Sequence, residues 1–556
     1  MRTLTIVGLI GFAAVTGSGC SDHPYDPDGP AIDPTAPVVH ITSPDRGFFA
    51  GNVQMVTVTG TASDDTKVAS VSVNNVPATL NADGTWTAQV PVTAGTNLLH
   101  AIALDNSNNA GKESRSVVVG PTNPISTVVP NAITAALSAE TFTALGNGAA
   151  GYIKTANLEQ LISSSNPVIN DGAPDGPDCL YVQGSITSMT IGDAQISLIS
   201  QAGGLALDAE LSNVNVGMHL DYAAACLSGS RDITVAATQI SVKGNLSIGV
   251  ANSQFAISLD SPDVTVTGFD AELGGLTGDV ADLLDLNHAF GPLIGWATEK
   301  FVVPMINTEL DSLNQTKTIT VLNSQVDISV TPASIEFTSD GGIVELDTSI
   351  RAHGDSGAFV DVTSTAPAMD LSHGFQLAVA ANAANQALTS MWSAKGLDDT
   401  LMLNNGSYGD IGTLYDSVEI SAAAPPYIDA TSGNGLVLTI GDLMGTFRNG
   451  SETTTEIAIN AQVAVKVEAD ATTGGLKLDV GDPTTYVDVL DQGVSGANEL
   501  SNAQFEALAT FALARVIAVG SGTLGAIPLP SVGGVALQNL SVAPQAGYLV
   551  VDGSIQ

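Results

Sequence analysis

The chain has 556 residues, enough for about three or four domains with sizeable cores. Its 16 Lys and Arg stand against 56 Asp and Glu, a formal charge of −40, which excludes a nucleic-acid partner because phosphate backbones are held by clustered cations. Hydrophobic residues make up 44% and charged ones only 13%, so disorder is excluded and the polar surface falls to Ser, Thr, Asn and Gly, as in many extracellular β proteins.

Met1 and Arg2 lead into an apolar run from Leu4 to Val15, then Gly17-Ser18-Gly19-Cys20 and a polar stretch. A positive end, a short apolar segment and small residues before a cut are the parts of a signal peptide, here residues 1–19. The apolar run falls short of the roughly 20 residues that span a bilayer. Cys20 after two small residues resembles a bacterial lipoprotein cleavage box, departing from it at Gly17, where Leu is usual; ordinary secretory cleavage nearby is the alternative. The resemblance implies a lipid anchor at Cys20, with palmitate-type chains contributing about 0.8 kcal/mol per buried methylene. Ser21 in place of Asp points to the outer membrane, on its periplasmic or cell-surface side. Residues 20–36 are a Pro/Asp-rich tether, and no later run of about 18 apolar residues predicts a second crossing.

Residues 37–120 alternate short β runs (VVHI, VQMVTVTGTA, VASVSVNN, TWTAQVPV, LLHAIALDN, SRSVVVG) with turn residues, the pattern of a β sandwich. Through V-x-G-x-A-x-D, V-x-V-N, D-G-x-W and G-x-N this stretch resembles a bacterial immunoglobulin-like domain. Trp86, on an alternating strand, is expected as a core anchor rather than a sugar platform.

From residue 131 onward one arrangement comes twice, over 131–350 and 351–556. The first half opens with a helix expected over Ala135–Ile162, weakened by Gly146, Gly148 and Gly151. Strands of period two follow, cleanest over Val214–Tyr222 and continuing through Ile233, Val242, Ile248, Ile257 and Val266. A second helix is expected over Leu286–Leu313, from apolar spacings of three and four. Alternating strands over Ile319–Ile350 could join both halves. The second half offers a helix over Val379–Ala394 with Gly396 as its stop, strands from Leu436 to Val480, a last helix over Asn502–Val519 and closing strands over Leu537–Ile555. The expected fold class is therefore mainly β with long helices (α+β), an immunoglobulin-like sandwich followed by two helix-wrapped, strongly curved antiparallel sheets.

Cys179 and Cys226 each lie beside an expected strand end in a compartment that permits oxidation, and are read as one disulfide, with two free thiols as the alternative.

The repeated order, the segment FQLAVAANAANQALTSMWSAKGLDDTLML and the tail IPLPSVGGVALQNLSVAPQAGYLVVDGSI resemble the tubular lipid-binding proteins related to bactericidal/permeability-increasing protein, over roughly 131–556. The resemblance implies two tandem lipid-binding domains, and many members carry a disulfide comparable to Cys179–Cys226. The chain departs from members that seize lipopolysaccharide, which present a cationic tip. Physically, a curved sheet on an amphipathic helix leaves an elongated apolar space, and burying a sixteen-carbon chain there recovers roughly 10 kcal/mol. The candidate lining residues are Leu145, Ile153, Leu161, Phe290, Ile294, Phe301, Leu388, Trp392, Phe505 and Leu508, each of which could instead fill a dry core.

Chemistry is sought without a match. Gly354-Asp355-Ser356-Gly357 beside His353 has the look of a protease nucleophile segment but lacks the second following Gly and an upstream Ala-His-Cys, so a surface turn is expected. G-x-S-x-G and H-E-x-x-H are missing, and the seven His are scattered. Asp171, Asp175 and Asp178, and Asp64, Asp65 and Asp105, offer oxygens without a complete calcium loop. The expectation is a non-enzymatic protein with no cofactor and no metal site. Its partners are a lipid or hydrophobic small molecule and, through the anchor, the membrane; any protein partner is unknown. A surface adhesion protein with fully packed β domains is the rival.

Overall fold

The computed structural model describes residues 33–155, 166–172, 181–224, 227–272, 314, 316–322, 324–362, 365–372, 374–404, 411–431, 435–470, 475–491 and 537–555. Among them 68% are strand and 9% helix. Among the described residues three helices occur: α1 (Ala139–Thr155), α2 (Ala381–Ser393) and α3 (Ile411–Leu414).

The expected fold class is thus corrected: the described residues are mostly β with short helices, and among them long helices wrapped by curved sheets are not found. Two of the expected helices begin late, because their first residues are central strands. Val129–Ser138 pairs with Gly341–Ala352 on one side and Phe375–Ala380 on the other. Ala135 to Leu137 and Val379 to Ala380 are good helix formers or neutral residues by themselves, but pairing on both edges overrides that weak preference. The helices expected over 286–313 and 502–519 lie outside the described residues.

Residues 38–119 form the sandwich, with a four-stranded sheet in the order Val38–Ser43, Met55–Ser63, Thr85–Pro91, Thr79–Leu80 against a five-stranded one built on Gly95–Asp105 and Ala110–Val119. Inward alternation buries Val58, Val73, Val90 and Leu99. Trp86 is 2% exposed at the centre, as expected of an anchor. Gly60 makes room for it, since a Cβ there would stand 2.2 Å from the indole.

The repeat is visible in a seven-stranded central sheet, ordered Thr316–Val321, Ser324–Thr338, Gly341–Ala352, Val129–Ser138, Phe375–Ala380, Tyr548–Ile555, Leu537–Gln545. Val129–Ser138 and Phe375–Ala380 are antiparallel neighbours in this sheet. Each of these strands leads directly into a helix, α1 or α2, and then into a lateral sheet. The first lateral sheet comprises Ile169–Gly172, Tyr181–Gln201, Gly204–Ala224, Leu227–Ala251 and Gln254–Thr267 in order, with Asp270–Glu272 on the side. The second is built on Leu436–Asn449 and Glu452–Asp470, with Asp399–Met402, Ser417–Ala422, Tyr427–Asp429, Gly475–Val480 and Thr484–Asp491 around them.

Strands of 21 and 25 residues in the first lateral sheet run roughly 70 to 80 Å at about 3.3 Å per residue. Over such a length right-handed twist would carry a strictly alternating face away from its partner. The strands slip instead. Leu205, Leu207 and Ala209 are buried on odd positions, but Val214, Val216, Met218 and Leu220 on even ones. The slip falls on one transverse row, Gly192–Asn213–Thr238, skipped in the pairing on both sides of the Gly204–Ala224 strand. Asn213 adopts φ 52°, and a Cβ on Gly192 would meet its side chain at 2.9 Å. The row divides the apolar face into two clusters, one covered by Phe142, Leu145, Ala149 and Ala150 of α1, the other farther along the strands.

Candidate functional site

The sequence-predicted lining residues that are described fall into two separate cores. Leu145 is buried among Ile196, Leu198, Leu207 and Phe337, with Ile153 half-buried at the edge of that cluster. Leu388 is 1% exposed in the central core. Trp392 packs against that core, donates its indole N–H to the Ala422 carbonyl at 2.7 Å, and lies 6.3 Å ring to ring from Phe49 of the sandwich. Leu161, Phe290, Ile294, Phe301, Phe505 and Leu508 lie outside the described residues, as do Cys20, Cys179 and Cys226. Among the described residues no disulfide is found; the strand ends that flank Cys179 and Cys226 are neighbours, with Tyr181 paired to Ala223 and Ala224 to Leu227.

The helix carrying Leu388 is less amphipathic than expected. Its buried polar side chains are bonded into the sheets: Gln386 accepts from the Ile350 N–H and donates to the Ile125 and Thr127 carbonyls, and Asn385 bonds both the N–H and the carbonyl of Ile428. Gly396 is not the left-handed stop. That conformation falls on Lys395, φ 59°, while the Gly396 N–H donates to the Met391 carbonyl.

The second apolar cluster differs from these cores. Ile169, Val182, Ile186, Val214, Val216, Met218, Leu220 and Ile233 are all buried, and all come from adjacent strands of the first lateral sheet. Among the described residues, no helix or second sheet contributes to the cluster. Among the described residues it is an extended aliphatic face with no charged side chain buried in it, and half-buried Tyr222 packs against it.

A different site lies where the sandwich meets the second lateral sheet. The inward face of that sheet (Ile428, Leu438, Ile459, Val463) joins the central core, so pleating turns Tyr427, Thr439, Gln462 and Tyr486 to the other face, toward the sandwich. At one end the two bodies are locked by a buried charge cluster. Arg46 Nη1 reaches Asp442 Oδ1 at 2.5 Å, and Nη2 reaches Glu113 at 3.3 Å and Asp488 at 3.4 Å. Asp442, 0% exposed and at φ 45° in a break of its strand, also accepts from the Ser116 N–H and hydroxyl, and Asn460 donates to it. Burial, with Glu113 nearby, pushes the Asp488 carboxyl up to about 6 despite the Ser114 N–H and Arg46.

Beyond this lock the faces part into a cleft of about 500 Å³. Its sheet side carries Tyr427, Asp429, Thr439, Gln462 and Tyr486, and its sandwich side Asn75, Asn97 and His100. The His100 and Tyr486 rings lie 4.4 Å apart. Burial and nearby Lys112 hold His100 below the ordinary histidine range, and burial with Asp429 and Asp361 raises the Tyr427 phenol, so both rings are uncharged at neutral pH.

Residues 37–120 match the family model for glucodextranase, domain B. No curated protein matches the chain. Among solved structures, lipopolysaccharide binding protein is similar at 14% identity and TM-score 0.36, over 77% of this chain and 99% of that one. P47 of Clostridium botulinum E1 and P47 from Clostridium botulinum A2 are similar at 9% and 11% identity, with TM-scores of 0.22 and 0.23, over 77% of this chain and 100% and 98% of theirs.

The chemistry weighed on sequence is placed as follows. His353 bonds Asp327 at 3.0 Å rather than a serine, and Asp355 accepts from Ser390 and Arg351, so the Gly354–Gly357 segment is a bonded turn. Asp105 orders its own turn through Ser107 and Asn109. Asp64 and Asp65 come within ligand reach of Asp33 instead, and Asp64 is already occupied by Thr66 and Lys67. Sequence reasoning missed the interdomain lock. Its signal was Gly441-Asp442, a polar break inside an apolar strand, with one of the chain's few cations, Arg46, next to Gly47 in a turn.

Proposed function

We propose that this protein binds an apolar ligand, a lipid in the first instance, without catalysing its conversion, and does so tethered through Cys20 at the outer membrane. The reading rests on one observation: Val214, Val216, Met218, Leu220 and Ile233 form a continuous, buried aliphatic face across adjacent strands of the first lateral sheet, with no charged side chain among its described members. A face of that kind accepts a hydrocarbon chain by burial alone, at about 0.8 kcal/mol per methylene, and asks for no acid, base or metal. The lipoprotein-like box around Cys20 supports placement beside a lipid source. Leu145 and Leu388 are assigned to core packing and not to the ligand.

Native mass spectrometry of the full chain with Cys20→Ser, followed by lipid extraction, tests the reading. The expected result is a copurifying lipid, and uptake of a fluorescent fatty acid that falls about tenfold when Met218→Trp fills the face. A ligand-free mass, together with uptake unchanged in both Met218→Trp and Leu220→Phe, overturns it. That result would favour the second reading, a surface adhesion protein with filled β domains, which the densely packed core around Leu388 supports.

A further inference from the structure

The cleft between the sandwich and the second lateral sheet is chemically unlike the aliphatic face. The register places Tyr427, Thr439 and Gln462 side by side across three strands, because Tyr427 pairs with Thr439 and Thr439 with Gln462. Tyr486 reaches the same face from the next strand, two residues beyond Thr484, which pairs with Gln462. Opposite stands the Asn74–Asn75 turn, whose φ values of 50° and 64° fix a tight reversal, and His100. Gly95 lets the Tyr427 ring lie directly on the sandwich backbone, since a Cβ there would come within 2.2 Å of the ring.

Three ligand classes are disfavoured by this lining. Among the described residues it holds no Lys or Arg, so a phosphate or sulfate has no counter-charge there. Its apolar members, Ala94, Leu98, Ile102 and Val437, are interspersed with amides and hydroxyls, so a hydrocarbon tail would strand polar groups. Asp429 is the one carboxylate among the described lining residues, and a single carboxylate is too few charged oxygens for a metal cation. What remains is a neutral ligand that donates and accepts hydrogen bonds around its rim and presents apolar C–H faces to aromatic rings. A pyranose ring has that form, and the volume lies within the range of small-molecule clefts.

Several groups are already engaged. Asn74 bonds the backbone at Leu98 and His100, and Asn97 holds its own turn, so these two shape the wall. The side chain of Asn75 and the hydroxyl of Tyr486 have no hydrogen bond among the described residues, and Gln462 only a long one, 3.4 Å, to Thr439. These three, with the His100 and Tyr486 rings, which are tilted 40° to one another, are the groups left to face a ligand.

We infer that this cleft is a binding site for a neutral oligosaccharide, with the Tyr486 and His100 rings as the stacking surface and Gln462 and Asn75 as hydrogen-bonding groups. The site is separate from the aliphatic face, and either can fail without the other.

Isothermal titration of the full-length protein with cellohexaose, maltohexaose and chitotetraose is the test. At least one of the three is expected to bind, with affinity falling about tenfold or more in Tyr486→Ala and several-fold in Gln462→Ala. Gln462 is exposed, so its variant keeps the fold, and equal melting temperatures without sugar check this for both. Absence of heat with all three sugars at millimolar concentration overturns the inference, as does binding that both variants leave unchanged. Titration of the same variants with the fluorescent fatty acid is expected to match the parent; parallel loss of both ligands would also overturn the assignment to a separate site.

Discussion

Gln386 is fully buried and satisfies three backbone groups at once, the Ile350 N–H and the Ile125 and Thr127 carbonyls. Replacing it by Leu keeps the volume and strands all three. The expected cost is about 2–4 kcal/mol, since a buried group that loses its partner carries its full desolvation penalty, and denaturant unfolding reads it. A buried glutamine with no such duty would tolerate the change with little loss. This residue also marks a limit of reading from sequence. Trp86 was legible because an aromatic on an alternating strand has few other places to go. Gln386 was not, because its role depends on carbonyls more than 250 residues away in the chain.

At the scale of elements, Lys395 ends helix α2 in a left-handed conformation that suits glycine better. Lys395→Gly is therefore expected to raise stability by up to about 1 kcal/mol, seen as a higher melting temperature. The period-two strands of the first lateral sheet were legible in Val214, Val216, Met218 and Leu220, since one face is dry and the other wet. The slip at Gly192, Asn213 and Thr238 was not. A single asparagine between two well-patterned runs gives no local sign that three neighbouring strands change parity on one row. Helix starts were misread for a related reason: Ala135 to Leu137 and Val379 to Ala380 follow helical preference when read alone and become strands only once both neighbours pair with them.

For the molecule as a whole, the interdomain lock sets a pH dependence. Asp488 titrates near 6 in the folded protein against an ordinary value near 4, chiefly because it is buried. A raised carboxyl contributes its stability fully below the unfolded value, and loses it as pH climbs from about 4 through about 6. The groups facing it are Arg46 and Glu113, with the Ser114 N–H, and beyond them Asp442 and Asn460. Asp488→Asn keeps an acceptor for Ser114 and removes the buried charge. It is expected to stabilise the protein at pH 7.5 by up to roughly 3 kcal/mol, less whatever attraction to Arg46 is lost, with the difference vanishing below about pH 4. Melting curves at both pH values check this. A variant less stable than the parent at pH 7.5 would mean that the Arg46 attraction outweighs desolvation. The sandwich itself was legible from its short alternating β runs, and the matched family model spans residues 37–120. The docking of that sandwich was not, because Arg46 and Asp442 are 396 residues apart.

The central sheet carries a consequence for how the chain is made. Phe375–Ala380 forms its outer ladder with Tyr548–Ile555, more than 160 residues downstream, so that edge stays bare until late in synthesis. A nascent chain stalled before residue 548 would present Leu377 and Val379 on an open β edge, ready to pair with another molecule. Such a truncation should therefore aggregate rather than persist as a folded fragment, which light scattering of the purified or refolded fragment would read.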